Sequence, residues 1–253
     1  SCGASLNYPK ESIQVNTKKS PNMSLTQRSI LAIVAYSFLF TSGAFYIGRF
    51  LITTFSLDPT NEMVYLFLNA STNFILYLSL FGVSLLLLHY ELRLDFAKLR
   101  GVTQKTILNR SLETLGYLYI AAILGNLILM VLGKDGTSGN QIAIERMLYS
   151  PYAVVIIITV VLFGPFVEEV IFRLAGFAVF PKKIPVMAVI FITSLLFGYI
   201  HVSQSQDYIM IIPYFVQGLA IGHMYAKYKN FYVVFIGHAL YNLISVILTY
   251  IMI

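Results

Sequence analysis

The amino-acid sequence predicts an all-α, polytopic membrane protein: a bundle of about seven transmembrane helices with a cytoplasmic N-terminus. Hydrophobic residues make up 58% of the 253 positions and charged residues only 11%. A water-soluble domain of this size does not normally have such a composition. The chain contains seven apolar stretches that reach the length of about 20 residues needed to span a bilayer. These stretches are 29–54, 63–90, 107–132, 152–180, 184–202, 208–226 and 231–252.

The positions of Lys and Arg predict the orientation of these helices. With the N-terminus in the cytoplasm, thirteen cations fall in cytoplasmic segments and only three, Arg49, Lys134 and Arg146, in outer segments. Cytoplasmic loops of membrane proteins carry this kind of excess. The seventeenth cation, Arg173, lies inside a spanning stretch. We therefore interpret the net charge of +6 as a sign of topology and expect no nucleic-acid partner.

The remaining segments are polar. Residues 1–22 lack periodicity and are predicted to form a flexible tail, with Met23 as a candidate native start and residues 23–253 as the membrane domain. The charged, amphipathic connector 91–110 predicts a segment lying on the membrane surface. The connector 133–150 is rich in Gly, Ser and Asn and predicts an ordinary loop. The single cysteine, Cys2, argues against a disulfide framework and against cysteine-protease chemistry.

Two adjacent carboxylates and a guanidinium interrupt the fourth apolar stretch. Charges within a membrane are costly, so they usually face the protein interior, pair with each other and mark a functional site. Glu169 and Arg173 are four residues apart and can pair across one helical turn. Glu168 points about 100° away from Glu169 and is free to contact something else. Pro165 removes a backbone hydrogen bond, which predicts a kink or local opening just before Glu168.

Polar side chains on the three later helices lie at similar estimated depths. At about 1.5 Å per residue, the heights of His201, Gln217, His238 and Asn242 above the cytoplasmic helix ends overlap with that of Glu168. His238 and Asn242 are four residues apart and share a helix face, as do Phe197 and His201. We therefore expect one buried polar cluster.

Three ordered motifs carry a family resemblance over about residues 152–247. They are Glu168-Glu169-x-x-x-Arg173, Phe197-x-x-x-His201 and His238-x-x-x-Asn242. The set resembles the CPBP family, which comprises type II CAAX prenyl endopeptidases and bacteriocin-processing or immunity (Abi) proteins. The resemblance implies an intramembrane glutamate endopeptidase that acts on a peptide or lipidated peptide without a cofactor.

The resemblance also implies roles for individual residues. Glu168 looks like the glutamate that activates water, and His201 like the histidine that cooperates with it. His238 and Asn242 look like the pair that stabilises the oxyanion. Supporting roles are implied for the ion pair and for two further residues: Glu169, Arg173, Phe197 and Gln217. The bottom-up chemistry agrees, because peptide hydrolysis needs a base for water and donors for the oxyanion.

Two alternatives stay open at this stage. Glu168, His201 and His238 are residue types that bind zinc, so the same residues can form a membrane metalloprotease. The chain can also be a non-enzymatic bacteriocin-immunity or scaffold protein that binds a partner in the membrane. Membrane lipid is an expected partner in each case, and the sequence does not define the oligomeric state. We expect a bacterial cell-membrane protein whose active site opens toward the cytoplasm.

Overall fold

A computed structural model of the chain describes residues 22–134 and 137–251, and the predicted tail 1–22 lies almost entirely outside them. The described residues form eight helices and contain no β-strand, which confirms the all-α polytopic bundle. The helices are α1 (Leu25–Phe55), α2 (Glu62–Leu99), α3 (Gln104–Val131), α4 (Gly139–Leu148), α5 (Ala153–Ala178), α6 (Val186–Val202), α7 (Tyr208–Tyr228) and α8 (Phe231–Ile251).

Each of the seven predicted apolar stretches is helical. Six of these helices are long and apolar enough to cross a membrane, and α6 is apolar but shorter, with 17 residues. Their outward faces carry large apolar side chains such as Leu86, Val131 and Met187, which are 78%, 81% and 63% exposed. In a bilayer such side chains face lipid, where exposure costs nothing. The chain is therefore an integral membrane protein.

Helix α5 lies at the centre of the bundle. Every residue from Gly164 to Gly176 is buried, and this helix contributes to the same apolar core as α1, α2, α6 and α8. Helix α7 packs along α6 and α3, and α8 also packs along α3. The two carboxylates and the guanidinium of α5 are thus enclosed by protein on all sides, as intramembrane charges require.

Two π-helical turns interrupt α5, one on each side of Glu168 and Glu169: Thr159–Phe163, and Val170–Ala175, which contains Arg173. A glycine follows each turn. A Cβ atom would lie 3.2 Å from a carbonyl oxygen at Gly164 and 3.1 Å at Gly176, so both positions favour glycine. The first turn is the local opening predicted before Glu168, since Pro165 lacks the N–H needed to continue the regular pattern.

The prediction of a surface-lying segment at 91–110 is wrong. Helix α2 continues without a break to Leu99, and α3 begins at Gln104. Two acidic residues of this stretch have partners inside the bundle. Glu91 forms a two-bond ion pair with Arg28, with both bonds at 2.6 Å. Asp95 accepts a 2.8 Å hydrogen bond from the Phe231 N–H group. Buried pairing, and not contact with the membrane surface, explains these charges.

The prediction of an ordinary loop at 133–150 is also wrong, because α4 occupies ten residues of it. Ser138 caps this helix by accepting from the Gln141 N–H group at 3.2 Å. Tyr149 and Tyr250, which stack edge to face, tie its C-terminal end to α8. A helix of this length is stabilised mainly by its tertiary contacts, which a sequence pattern does not contain.

Candidate active site

The site is a buried cluster of two carboxylates, two imidazoles and one guanidinium from α5, α6 and α8. Glu168 is 6% exposed, His238 is 5% exposed, and Glu169 and Arg173 are fully buried. His201, whose side chain is 15% exposed, is the most accessible member. The structure therefore brings together the predicted carboxylates, imidazoles and guanidinium, and the most open edge of this cluster lies at His201.

Both imidazoles face the Glu168 carboxylate. Nε2 of His201 lies 3.9 Å from Oε1, and Nε2 of His238 lies 3.8 Å from Oε2. These distances are longer than direct hydrogen bonds, so each ring edge and each carboxylate oxygen keeps a free bonding position. Such a spacing suits a water molecule that bonds to both partners.

The other nitrogen of each ring is already engaged. Nδ1 of His201 lies 2.8 Å from the Phe197 carbonyl oxygen, one helical turn earlier. A carbonyl oxygen only accepts, so this contact assigns the proton of the neutral ring to Nδ1 and leaves Nε2 as an acceptor. Nδ1 of His238 lies 2.8 Å from Oε1 of Glu169, which orients its Nε2 toward Glu168 in the same way.

Glu169 and Arg173 form the predicted pair across one turn. Nε of Arg173 lies 3.3 Å from Oε2 of Glu169, close enough for an ion pair but without the alignment of a hydrogen bond. Nη2 of Arg173 donates to the Gly218 carbonyl oxygen at 3.2 Å. The guanidinium also lies 4.8 Å from the centre of the Phe197 ring, so it has a cation–π contact as well.

Asn242 contacts α5 at the first π-helical turn. Its Nδ2 donates to the Val160 carbonyl oxygen at 2.7 Å. The Gly164 N–H group is bonded to Thr159, and Pro165 has no N–H group, so Val160 has no donor from its own helix. Asn242 supplies that donor, and a second N–H of the same amide remains for another acceptor.

Two of the predicted supporting residues differ in their contacts. Phe197, 2% exposed, packs between Arg173 and His201, with 4.5 Å between its ring centre and that of the imidazole. Gln217 is half-buried, and its neighbour Gly218, by way of the backbone carbonyl, is the residue that bonds to the cluster.

Sequence reasoning missed three tyrosines close to the cluster. Tyr214 of α7 stacks on His201 with 4.4 Å between ring centres. Tyr77 of α2 approaches Gly164 beside the Glu168 carboxylate, and Tyr36 of α1 is 4% exposed with no hydrogen-bond partner among the described residues. Tyrosine is common at membrane interfaces, so no pattern in the sequence separates these three from the other fifteen.

The distances between the side chains of the cluster bear on whether it can bind a metal ion. Within residues 22–134 and 137–251, no group of three or more His, Cys, Asp or Glu side chains is arranged to hold a metal ion. One nitrogen of each imidazole already contacts a carbonyl or a carboxylate, as metal-bound histidines also do. The Nε2 atoms of His201 and His238, with Glu168, are the groups that would bind zinc.

Fold and site together define a polytopic membrane protein with a buried carboxylate–imidazole centre, an arrangement suited to hydrolysis. Residues 150–244 match the family of type II CAAX prenyl endopeptidases described as Rce1-like. The matched segment is less than half of the chain, and over it the chain is similar to this family. The match contains Glu168, His201, His238 and Asn242.

Three curated relatives are similar to parts of the chain. The chain is 29% identical to the protein YvdC of Lactococcus lactis over 132 residues, which are 52% of this chain and 49% of the relative. It is 26% identical to the candidate membrane peptidase YdiL of Bacillus subtilis over 162 residues, 59% of this chain and 64% of the relative. A protein of Mycoplasma capricolum is 36% identical over 98 residues, 38% of this chain and 28% of the relative.

The chain thus matches between about a quarter and two thirds of the length of these curated relatives. No solved structure matches the chain significantly.

Proposed function

We propose that this protein is an intramembrane endopeptidase that cleaves a peptide or lipidated peptide with a water molecule activated by Glu168. The observation that carries the proposal is the convergence of His201 and His238, from two other helices, on the two oxygens of one buried carboxylate. The family match and the relative named as a candidate membrane peptidase support it.

The proposed reaction uses Glu168 first as a base and then as an acid. A water molecule next to Glu168 and the acceptor nitrogen of His201 gives one proton to the carboxylate while its oxygen attacks the scissile carbonyl carbon. The C–N bond then breaks, and Glu168 returns the proton to the leaving nitrogen. The products are a new carboxylic acid, which keeps the second proton of the water, and a new amine, so protons and electrons balance.

His238 and Asn242 are the proposed donors to the oxyanion. The Glu169 carboxylate, 2.8 Å from Nδ1, stabilises a second proton on the His238 ring, and Nε2 can then donate to the developing negative charge. The free N–H of the Asn242 amide provides the second donor. Arg173, whose Nε lies 3.3 Å from Oε2 of Glu169, holds this carboxylate in place, so the buried ion pair supports the same step.

The proposed orientation of the bundle in the membrane follows from the positions of its Lys and Arg residues. Contacts join the N-terminus of α1, the C-termini of α2 and α5 and the N-terminus of α8 at one end of the bundle. Segments at this end carry cations such as Lys98, Arg100, Lys182 and Lys183. We propose that this end faces the cytoplasm of a bacterial cell, since positive loops do so.

The test is hydrolysis by purified protein in lipid nanodiscs. Glu168→Gln keeps the shape of the side chain and removes the base, so kcat should fall about 10²- to 10⁴-fold. Glu62→Gln is the matched control, because Glu62 is exposed and pairs with Arg146 at the bundle surface. Retained hydrolysis in Glu168→Gln would overturn the proposal.

Two further assays distinguish the endopeptidase from a metalloprotease and from a non-enzymatic immunity or scaffold protein. Loss of activity after chelation and its return with zinc would indicate a metalloprotease built from the same residues. Protection against a bacteriocin that persists in Glu168→Gln, with no hydrolysis by the wild type, would indicate an immunity or scaffold protein. A prenylated peptide and its unprenylated counterpart, assayed side by side, define the substrate class.

A further inference from the structure

Tyr214 holds one face of the His201 ring. The two ring centres are 4.4 Å apart and the ring planes are inclined by 23°. Phe197 also contacts the imidazole, with 4.5 Å between ring centres and 48° between ring planes. Because His201 is the most exposed member of the cluster, its imidazole would otherwise have the greatest freedom to turn away from Glu168. The Phe197–Tyr214 pair restricts that motion.

Tyr214 is itself fixed by the first turn of α4. Its hydroxyl lies 2.6 Å from Oγ of Ser138, the N-cap residue of this helix, and 3.5 Å from Nδ2 of Asn140. Gly139 brings this turn against the segment that follows α6, since a Cβ atom there would lie only 2.6 Å from Cβ of Ser205. The Tyr214 side chain thus connects helix α4 to His201.

We propose that Tyr214 is a positioning residue for His201 and that Ser138 holds it in place, an inference that rests on the proposed function above. The stack keeps the imidazole in the orientation in which Nδ1 donates to Phe197 and Nε2 faces Glu168. Helix α4 therefore helps to hold His201 in position in the site.

Three variants dissect this arrangement. Tyr214→Phe and Ser138→Ala both remove the hydrogen bond between these side chains, so each should lower kcat about 2- to 10-fold. Ser138→Ala also removes the N-cap of α4, so the double variant should be no worse than Ser138→Ala alone. Tyr214→Leu also removes the stack and should lower kcat about 10- to 100-fold. KM should change less than about twofold, since the tyrosine acts on the orientation of His201 and not on substrate binding.

A second tyrosine–histidine stack provides the matched control. Tyr117 lies on His223 with 5.9 Å between ring centres and 25° between planes, on the α3–α7 contact. Tyr117→Leu removes a comparable stack without touching the cluster. Its kcat should remain at the wild-type value. A loss equal to that of Tyr214→Leu would mean that any such truncation disturbs the bundle, and would overturn the positioning role.

Nitrogen NMR of histidine-labelled protein gives a readout independent of activity. The chain has four histidines, and His201→Gln identifies the His201 signals. The wild-type ring should show protonated Nδ1 and unprotonated Nε2, and Tyr214→Leu should show a mixture of both tautomers. An unchanged tautomer together with an unchanged kcat per folded molecule would refute the inference.

The outcomes for Tyr214 and for the proposed function are separable. If Glu168→Gln abolishes hydrolysis while Tyr214→Leu retains full kcat, the positioning role fails and the endopeptidase stands. If Glu168→Gln retains hydrolysis, the endopeptidase mechanism fails, and the inference, which rests on it, fails as well. The NMR spectra then show only whether Tyr214 orients the imidazole.

Discussion

The pair Glu169 and Arg173 offers the sharpest test of how this site is stabilised. Both side chains are fully buried, their 3.3 Å contact lacks hydrogen-bond alignment, and two Arg173 nitrogens, Nε and Nη1, have no hydrogen-bond partner among the described residues. Removal of one partner leaves an uncompensated charge, which costs about 3 to 5 kcal/mol in a protein interior. Replacement of both with neutral residues of similar volume is often nearly neutral.

Glu169→Gln and Arg173→Met should each be strongly destabilising, and the double variant should recover most of the loss. For a chain of this size about 1 kcal/mol corresponds to about 2 to 4 °C in Tm, so each single variant should lose about 6 to 20 °C. The double variant should lie within a few degrees of the wild type. The chain has no tryptophan, so unfolding is followed by circular dichroism at the helical band.

In the double variant of Glu169 and Arg173, activity should not recover together with stability. In the double variant His238 has lost the carboxylate beside Nδ1, so kcat should stay lower on the order of 10²-fold even where Tm returns. Arg28→Met with Glu91→Gln is the matched control, a second buried ion pair that does not touch an imidazole. Single variants as stable as the wild type, or a double variant less stable than both, would refute the reasoning.

Two further substitutions test how the helices are held together. Gly218→Ala should cost about 1 to 3 kcal/mol, because its Cβ would lie 2.9 Å from Cβ and 3.0 Å from Cα of Ser194, whereas Gly116→Ala, with nothing within 4 Å, should not destabilise. Equal Tm values for the two alanine variants would contradict this packing. Asp95→Ala should cost about 1 to 3 kcal/mol by leaving the Phe231 N–H group unpaired, and amide exchange should rise in the first turn of α8. Unchanged exchange there would show that the cap is dispensable.

Periodicity and hydropathy were sufficient to predict the helices that cross the membrane, because the apolar residues of each helix specify it. The same local rules paired Glu169 with Arg173 and placed Glu168 on a different face. Convergence of His201 and His238 on Glu168 required only that helix depths overlap. These parts of the fold and site depend on spacing within one helix or on length, both of which the sequence contains.

The errors share a physical cause. The sequence around Glu91 and Asp95 is typical of a helix on the membrane surface. Only the structure shows that Arg28 and Phe231 lie beside these two residues. Helix α4 is short, and contacts between its ends and α7 and α8 stabilise it more than its own composition does. Tyr214 was missed because its hydroxyl bonds to a residue 76 positions away. Long-range partners decide each of these cases, and hydropathy does not encode them.

The role of Asn242 can be separated from that of the backbone it supports. Asn242→Ala leaves the Val160 carbonyl without a donor, because Gly164 is bonded to Thr159 and Pro165 has no N–H group. An unpaired buried carbonyl costs about 1 to 3 kcal/mol, which should appear as a lower Tm.

Pro165→Ala restores an N–H group that can reach Val160, so adding it to Asn242→Ala should recover stability. If the amide also donates to the oxyanion, kcat of the double variant should remain about 10²- to 10³-fold below that of Pro165→Ala alone. The Pro165→Ala single variant controls for the change in the π-helical turn, because Pro165 itself lies only three residues before Glu168. Recovery of kcat along with Tm would mean that Asn242 serves only the Val160 carbonyl, and His238 alone would then remain as the proposed oxyanion donor.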